Sequence, residues 1–243
     1  MNPLFDNAID SLRVGIDFLC NSSMLTAPKH SILNVYHSIE LLLKEKLFRI
    51  NPILIYKDID NPITDDSYTI GLKQILARFR NVGIILTEKD SKVLFDLQGR
   101  RNRIEHHAFV ADESHKFVVG KAVRFIMSFL EEHLDCSLEE HVDEVLYGKL
   151  REIVMTYEER LREASERISS RQYMTKGDCK IGTCPNCSNE TVLDDPEKGL
   201  FCFFCYQPAG MAECICCGEL VPIDDLDEMD NCSVCLEYRI SRF

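Results

Sequence analysis

Within eight residues, Arg100 to His107, the chain sets three arginines (Arg100, Arg101, Arg103), Asn102, Glu105 and the pair His106-His107. An imidazole moves protons near neutral pH. A guanidinium offers phosphate oxygens a fixed fork of donors. These residue types together could serve reactions at phosphate. A plainer reading stands beside that one. Arg101 and Glu105 have the i,i+4 spacing of an ordinary helical ion pair, and histidines near a helix end favour its dipole.

A second constellation lies in the tail. Ten of the 12 cysteines fall between Cys179 and Cys235. Eight form four C-x-x-C pairs: Cys184/Cys187, Cys202/Cys205, Cys214/Cys217 and Cys232/Cys235. Each cysteine of the first two pairs recurs 30 residues later, and Asp194-Asp195 recurs as Asp224-Asp225 at the same offset. The stretch is an internal duplication of a zinc-ribbon unit. Two residues between cysteines let both thiolates reach one ion from a tight turn, and two such turns close a tetrahedral structural site. Two structural Zn2+ per chain follow. Four thiolates leave no open coordination position, so no catalytic metal is expected there. A cross-braced arrangement, with pairs one and three sharing an ion, competes with sequential pairing. Sequential pairing is favoured because each repeat is then self-sufficient. Cys179 and Cys216 are spare in this scheme.

The elements that must position these groups are mostly helical. The Arg100–His107 cluster sits late in a helix opened by Thr87, a plausible N-cap with Asp90 three residues on. On an ideal helix Val93, Leu94, Leu97, Ile104 and Ala108 share one arc, the core stripe. Phe95, Gly99, Asn102 and His106 follow another arc, which reads as an interface or an active-site wall. Earlier helices are expected over 4–20, 28–49 and 69–80, and a later one over 114–134. Five helices make a bundle. Residues 51–67 read as a loop, with Ile53 to Tyr56 packing back on the core. Ser137 and Glu140 resemble a capping box that would start one long helix to about Tyr173, roughly 50 Å of helix at 1.5 Å per residue. Its apolar stripe needs a partner in the first half, while 160–171 reads as little more than a spacer. The expected division is a helical domain at 1–136, a long helix or linker at 137–173, and tandem ribbons at 174–243, with repeats at 184–205 and 214–235.

Composition narrows the classes. Hydrophobic content of 45% and charged content of 28% fit a soluble globular protein. Phe117–Leu130 is the most apolar stretch, but Lys121 and Arg124 interrupt it, so no membrane span is expected. The N-terminal segment lacks a basic region and a long apolar run, so a cytoplasmic, reducing setting is expected, where clustered cysteines mean metal rather than disulfides. Residues 1–136 hold 17 Lys+Arg against 18 Asp+Glu, whereas residues 137–243 hold 11 against 22. From Gly177 to Phe243 there are 13 acidic and 4 basic side chains. Such a tail repels phosphates, and its apolar residues, among them Phe201, Phe203, Phe204 and Tyr206, suit protein contact or burial instead.

Arg101-Asn102-Arg103-Ile104-Glu105-His106 reads R-N-x-x-x-H and resembles the signature of the HEPN (higher eukaryotes and prokaryotes nucleotide-binding) ribonucleases. The stretch from His37 to Lys44, followed by Asn51-Pro52, also resembles family members. The resemblance spans roughly residues 1 to 135. It implies a HEPN-like helical bundle and a metal-independent endoribonuclease that uses the RNA 2′-hydroxyl as nucleophile. It implies His106 as acid or base, Arg101 as the phosphate clamp and Asn102 in orientation of the imidazole or substrate. Arg100, Arg103 and His107 become candidates for RNA binding. On an ideal helix Arg101 and His106 lie about 140° apart, so one helix does not aim both at one atom. A homodimer answers this, as HEPN relatives build their sites at dimer interfaces; an irregular helix end near His106 also would. The resemblance further implies roles in bacterial toxin–antitoxin or anti-phage defence, with an antitoxin or other protein partner held by the zinc module. The alternative is a non-catalytic HEPN-like binding protein with the ribbons as adaptor. His37 and Glu40, polar intrusions in the second helix, are further candidates to line the cleft of His106.

Overall fold

The computed structural model describes residues 3–64, 66–106, 114–175 and 180–240. The chain divides into two compact units, Met1–Tyr157 and Glu158–Phe243.

The first unit opens with α1 (Pro3–Asn21) and α2 (Ala27–Ile50), which pack along one another. They come close at Gly15, where an added Cβ would lie 2.9 Å from Val35 Cγ2 and 3.1 Å from the Ser31 carbonyl. Leu12, Ile16, Ile32, Val35, Ile39 and Leu43 seal this seam and are at most 1% exposed. The loop after α2 begins as a 3-10 turn, Pro52–Ile55, capped by Asn51, whose Oδ1 accepts from the Ile53 amide at 3.1 Å. Ile55 is buried in the core, and Leu54 and Tyr56 pack beside it. The third helix, α3 (Leu72–Asn81), starts three residues later than its periodicity predicts. Thr69 pairs with Tyr56 as a β-bridge, and the Ile70 amide donates to the Ile55 carbonyl at 2.9 Å. Those groups are therefore spent on strand-like pairing before Gly71 lets the helix begin.

Helix α4 (Glu88–His106) begins as expected. The Asp90 amide donates to Thr87 Oγ1 at 3.1 Å, and the Thr87 amide donates to Asp90 Oδ2 at 3.2 Å, a reciprocal cap. Val93, Leu94, Leu97 and Ile104 point into the core; Ala108 lies outside the described residues. Helix α5 (Ser114–His133) completes the bundle through Val119, Val123, Ile126 and Leu130.

The long helix departs from its expected start. Ser137 caps only a short 3-10 turn, Leu138–Glu140, by accepting from the Glu139 amide. Asp143 opens α6 (Glu144–Thr175) instead, its Oδ1 accepting from the Leu146 amide at 2.9 Å. In the first unit Leu146 and Leu150 join the core, and α6 closes on Gly120 of α5, where an added Cβ would lie 2.9 Å from Tyr157 Cβ.

The second unit contains the end of α6 and two small sheets. Strands β1 (Gly182–Thr183), β2 (Glu190–Asp195) and β3 (Gly199–Cys202) form an antiparallel sheet in that order. Strands β4 (Met211–Glu213) and β5 (Leu220–Pro222) form a two-stranded antiparallel hairpin, and α7 (Ser233–Ile240) ends the described chain. The molecule is thus mostly helical, with a small strand region carrying the cysteines. Among the described residues no helix is long and apolar enough to cross a membrane.

Candidate functional site

Helix α4 stays regular through His106, so an irregular helix end is not what brings the motif together within the described residues. Arg101 Nη1 lies 2.9 Å from Glu105 Oε2, and His106 Nε2 lies 4.0 Å from that same oxygen. Arg101 and Glu105 thus make the i,i+4 ion pair that their spacing predicts, and the imidazole lies beside it, beyond hydrogen-bond distance. Asn102 Oδ1 accepts from Arg101 Nη1 at 3.1 Å, so this amide steadies the guanidinium.

The surroundings of Arg101 come from α2. Its Cζ lies 5.9 Å from the Tyr36 ring centroid. The Tyr36 phenol is pushed up to about 12, chiefly by burial and then by the Glu40 carboxylate, while Gln98 bonds to it. His37 is held below the usual imidazole range, first by burial and further by the Lys44 and Arg101 charges, against the opposing pull of Glu40. Glu40 Oε1 itself accepts from the buried Lys44 Nζ at 2.6 Å. The α2 polar residues thus lie near Arg101.

The other expected site residues divide by position. Phe95, Asn102, Arg103 and His106 are exposed, and a Cβ added at Gly99 would meet nothing within 4 Å. That face of α4 is open in the described chain. Arg100 is only 8% exposed and pairs with Asp96 at 3.3 Å on the other side of the helix. Its charge is held inside the bundle rather than offered to solvent. His107 lies outside the described residues.

The cysteines of the tail gather into two groups, Cys184/Cys187/Cys202/Cys205 and Cys214/Cys217/Cys232/Cys235, with the sulfurs of each group within 4.8 Å of one another. The grouping is sequential, not cross-braced. Sγ–Sγ distances are 3.7 Å for Cys184–Cys205 and for Cys187–Cys202, 4.0 Å for Cys214–Cys235 and 3.9 Å for Cys217–Cys232. Four sulfurs each about 2.3 Å from a tetrahedral zinc ion lie about 3.8 Å apart. The two groups therefore fit two such ions. Backbone amides prepare the thiolates: those of Cys217 and Cys232 hold the Cys214 thiol down to about 6. The Cys232 amide donates to Cys214 Sγ at 3.3 Å, and the Cys205 amide to Cys202 Sγ at 3.5 Å. Cys216 is exposed at the tip of a knuckle, and Cys179 lies outside the described residues.

The first ribbon does not stand free of α6. Arg160 Nε donates to the Phe204 carbonyl at 2.7 Å. The guanidinium carbons of Arg160 and Arg167 lie 4.8 and 5.2 Å from the Tyr206 ring centroid. Arg171 pairs at 3.4 Å with Asp195, which is 3% exposed. Tyr206 holds a left-handed backbone, φ 56°, at the position after its knuckle, where Ser188 and Gly218 do the same after theirs. A large aromatic is unfavourable there; its contacts with the two arginines help to offset the strain. The stretch 160–171 is thus a docking strip for the first ribbon, not a bare spacer. The sequence does carry a signal for it: Arg160, Ala164, Arg167, Ile168 and Arg171 share one helical arc. Glu105 is the ion-pair partner of Arg101 that its spacing predicts.

No known family model matches the chain, and no curated protein or solved structure matches it.

Proposed function

We propose that the helical unit is a metal-independent endoribonuclease of the HEPN type, with Arg101 and His106 as its working pair. The observation that carries this reading is the grouping of Arg101, Asn102 and His106 at the end of α4, where Asn102 Oδ1 accepts from Arg101 Nη1 at 3.1 Å and the His106 side chain is exposed. A guanidinium and an imidazole on one exposed helix end offer a phosphate a clamp and a proton carrier once Glu105 releases Arg101. In that clamp Arg101 stabilises the charge that builds on phosphorus. His106 takes the proton from the attacking 2′-hydroxyl or gives one to the departing 5′-oxygen. Asn102 holds the guanidinium in place, and Tyr36 backs it from α2. Exposed Arg103 is available to a neighbouring phosphate. Arg100, tied to Asp96, serves the fold.

A homodimer through the open face of Phe95, Gly99, Asn102 and His106 is part of this proposal, because two copies would present Arg101 and His106 to one groove. The two four-cysteine groups hold zinc as structural ions, and the C-terminal unit binds protein, in keeping with its acidic charge.

The test is cleavage of RNA by the purified protein beside two variants. His106→Ala should lose about 10²–10⁴-fold in rate and Arg101→Ala about 10²–10³-fold, each with unchanged helical circular dichroism. Variants that cut as the parent does would move the reading to a non-catalytic adaptor.

A further inference from the structure

The two ribbons are copies with different neighbours: the first takes α6, and the second rests on the first, where Lys180 pairs with Glu213 at 2.7 Å and Gly182 lies close to Leu220 and Met211. Asp195 of the first ribbon takes Arg171 of α6, and its second knuckle takes Arg160 and Arg167. In the second ribbon the matching positions, 30 residues on, are Asp225, Val234 and Leu236. Phe204 is 0% exposed beneath its helix, whereas Val234 is 71% exposed. Other large apolar residues are exposed around the second four-cysteine group: Ile215 at 74%, Met229 at 73% and Tyr238 at 59%. Ile215 and Met229 are brought close because the Ile215 amide donates to the Asp230 carbonyl at 3.0 Å. Val234 and Tyr238 are one turn apart on α7.

Charge separates the copies in the same direction. Residues 177–206 hold five Asp+Glu and two Lys+Arg, whereas residues 207–243 hold eight Asp+Glu and two Arg, with Lys180 of the first stretch paired to Glu213 of the second. A zinc ion bound by four thiolates adds two further negative charges. An apolar surface within such a field accepts a cationic partner and rejects phosphate.

We propose that the second ribbon is a docking site for an arginine-bearing amphipathic helix of a partner protein. The partner helix presents arginines at i, i+7 and i+11 beside an apolar stripe, as Arg160, Arg167 and Arg171 do in α6. Its arginines meet the carboxylates around Asp225, and its apolar stripe covers Val234, Tyr238 and Ile215. The docking chemistry of the copies differs, since Leu236 stands where the first ribbon has Tyr206. Position 234 lies within α7, so its carbonyl belongs to a helix, and recognition shifts from main chain to carboxylates. This inference rests on the reading of the C-terminal unit as a protein-binding module.

The experiment uses the full chain with both metals bound and a fluorescent helical peptide built with that arginine and leucine pattern. Anisotropy should show saturable binding. Val234→Glu and Asp225→Lys should each weaken it by at least about tenfold, a change of 1.4 kcal/mol, with metal content unchanged. Replacement of the peptide arginines by glutamate should abolish it. Two results overturn the proposal. Peptide binding that survives both variants would place the site elsewhere, with the protein-binding reading intact. Binding of a single-stranded RNA probe, lost in Val234→Glu, would overturn the protein-binding reading as well.

Discussion

In the helical unit Leu12, Ile39, Leu43, Ile75, Val119 and Leu130 are sealed in one apolar core, each at most 1% exposed. In the C-terminal unit the equally buried apolar side chains are Ala164, Val192, Leu193, Phe204 and Ala209, and the sulfurs of Cys184, Cys202 and Cys214 are sealed among them. The first unit has length enough to bury its own core. The ribbons are too short to do so, and the ions must supply the missing free energy. Under the proposed function, chemistry falls to the helical unit, where the His106 side chain is exposed, and attachment falls to the ribbons. A similar contrast repeats within the tail, since the first ribbon leans on α6 while the second, with Cys217 exposed, depends more fully on its ion.

Metal removal should break the comparison most visibly. Apparent binding free energies of structural zinc run to about 10–16 kcal/mol, so a strong chelator should melt the ribbons. The helices of the first unit should keep their circular dichroism and their cooperative thermal transition. The second site should release its ion before the first, as followed by a colorimetric zinc indicator. Loss of both units together would show that their stabilities are not separate.

A smaller effect concerns pH in the helical unit. The His37 pKa is depressed in the folded chain by burial. A depressed folded value means that the unfolded chain binds more protons, so stability rises with pH across this interval. His37 therefore contributes stability that is fully present above about pH 6.5, the unfolded value. It is lost as pH falls through the folded value. His37→Gln should flatten the acid side of the melting-temperature profile of the first unit and leave the metal sites unchanged. A profile identical to the parent's would remove His37 from the account.

How much of this was legible beforehand depends on how local each signal is. The cysteine spacing needs only two tight turns and a repeat, so both ligand sets could be read from the chain. The Thr87–Asp90 cap is equally local, and it placed the start of α4. The start of α6 was not, because Ser137 satisfied its capping pattern within a three-residue turn and Asp143 took over the helix. The strip 160–171 looked like a solvated spacer because its arginines find Tyr206 and Asp195 only after the ribbon folds. The Arg101–Glu105 pair is legible in its i,i+4 spacing, whereas a common target for Arg101 and His106 is not, because backbone angles separate the two by about 140°. Burial of Arg100 against Asp96 was visible as an i,i+4 spacing, yet its neighbouring charges drew it into the exposed group.

The most direct test of the metal-free chemistry is cleavage of one defined RNA and of the same RNA with a single 2′-deoxy at the scissile position. Both are incubated with the full chain after free magnesium has been chelated briefly, with the ribbon ions retained. The account predicts cutting of the first, with a 2′,3′-cyclic phosphate end, and none of the second, because attack comes from the RNA's own hydroxyl. Cutting of the deoxy-substituted strand, or cutting that requires added magnesium, would make water the nucleophile and contradict the roles given to Arg101 and His106.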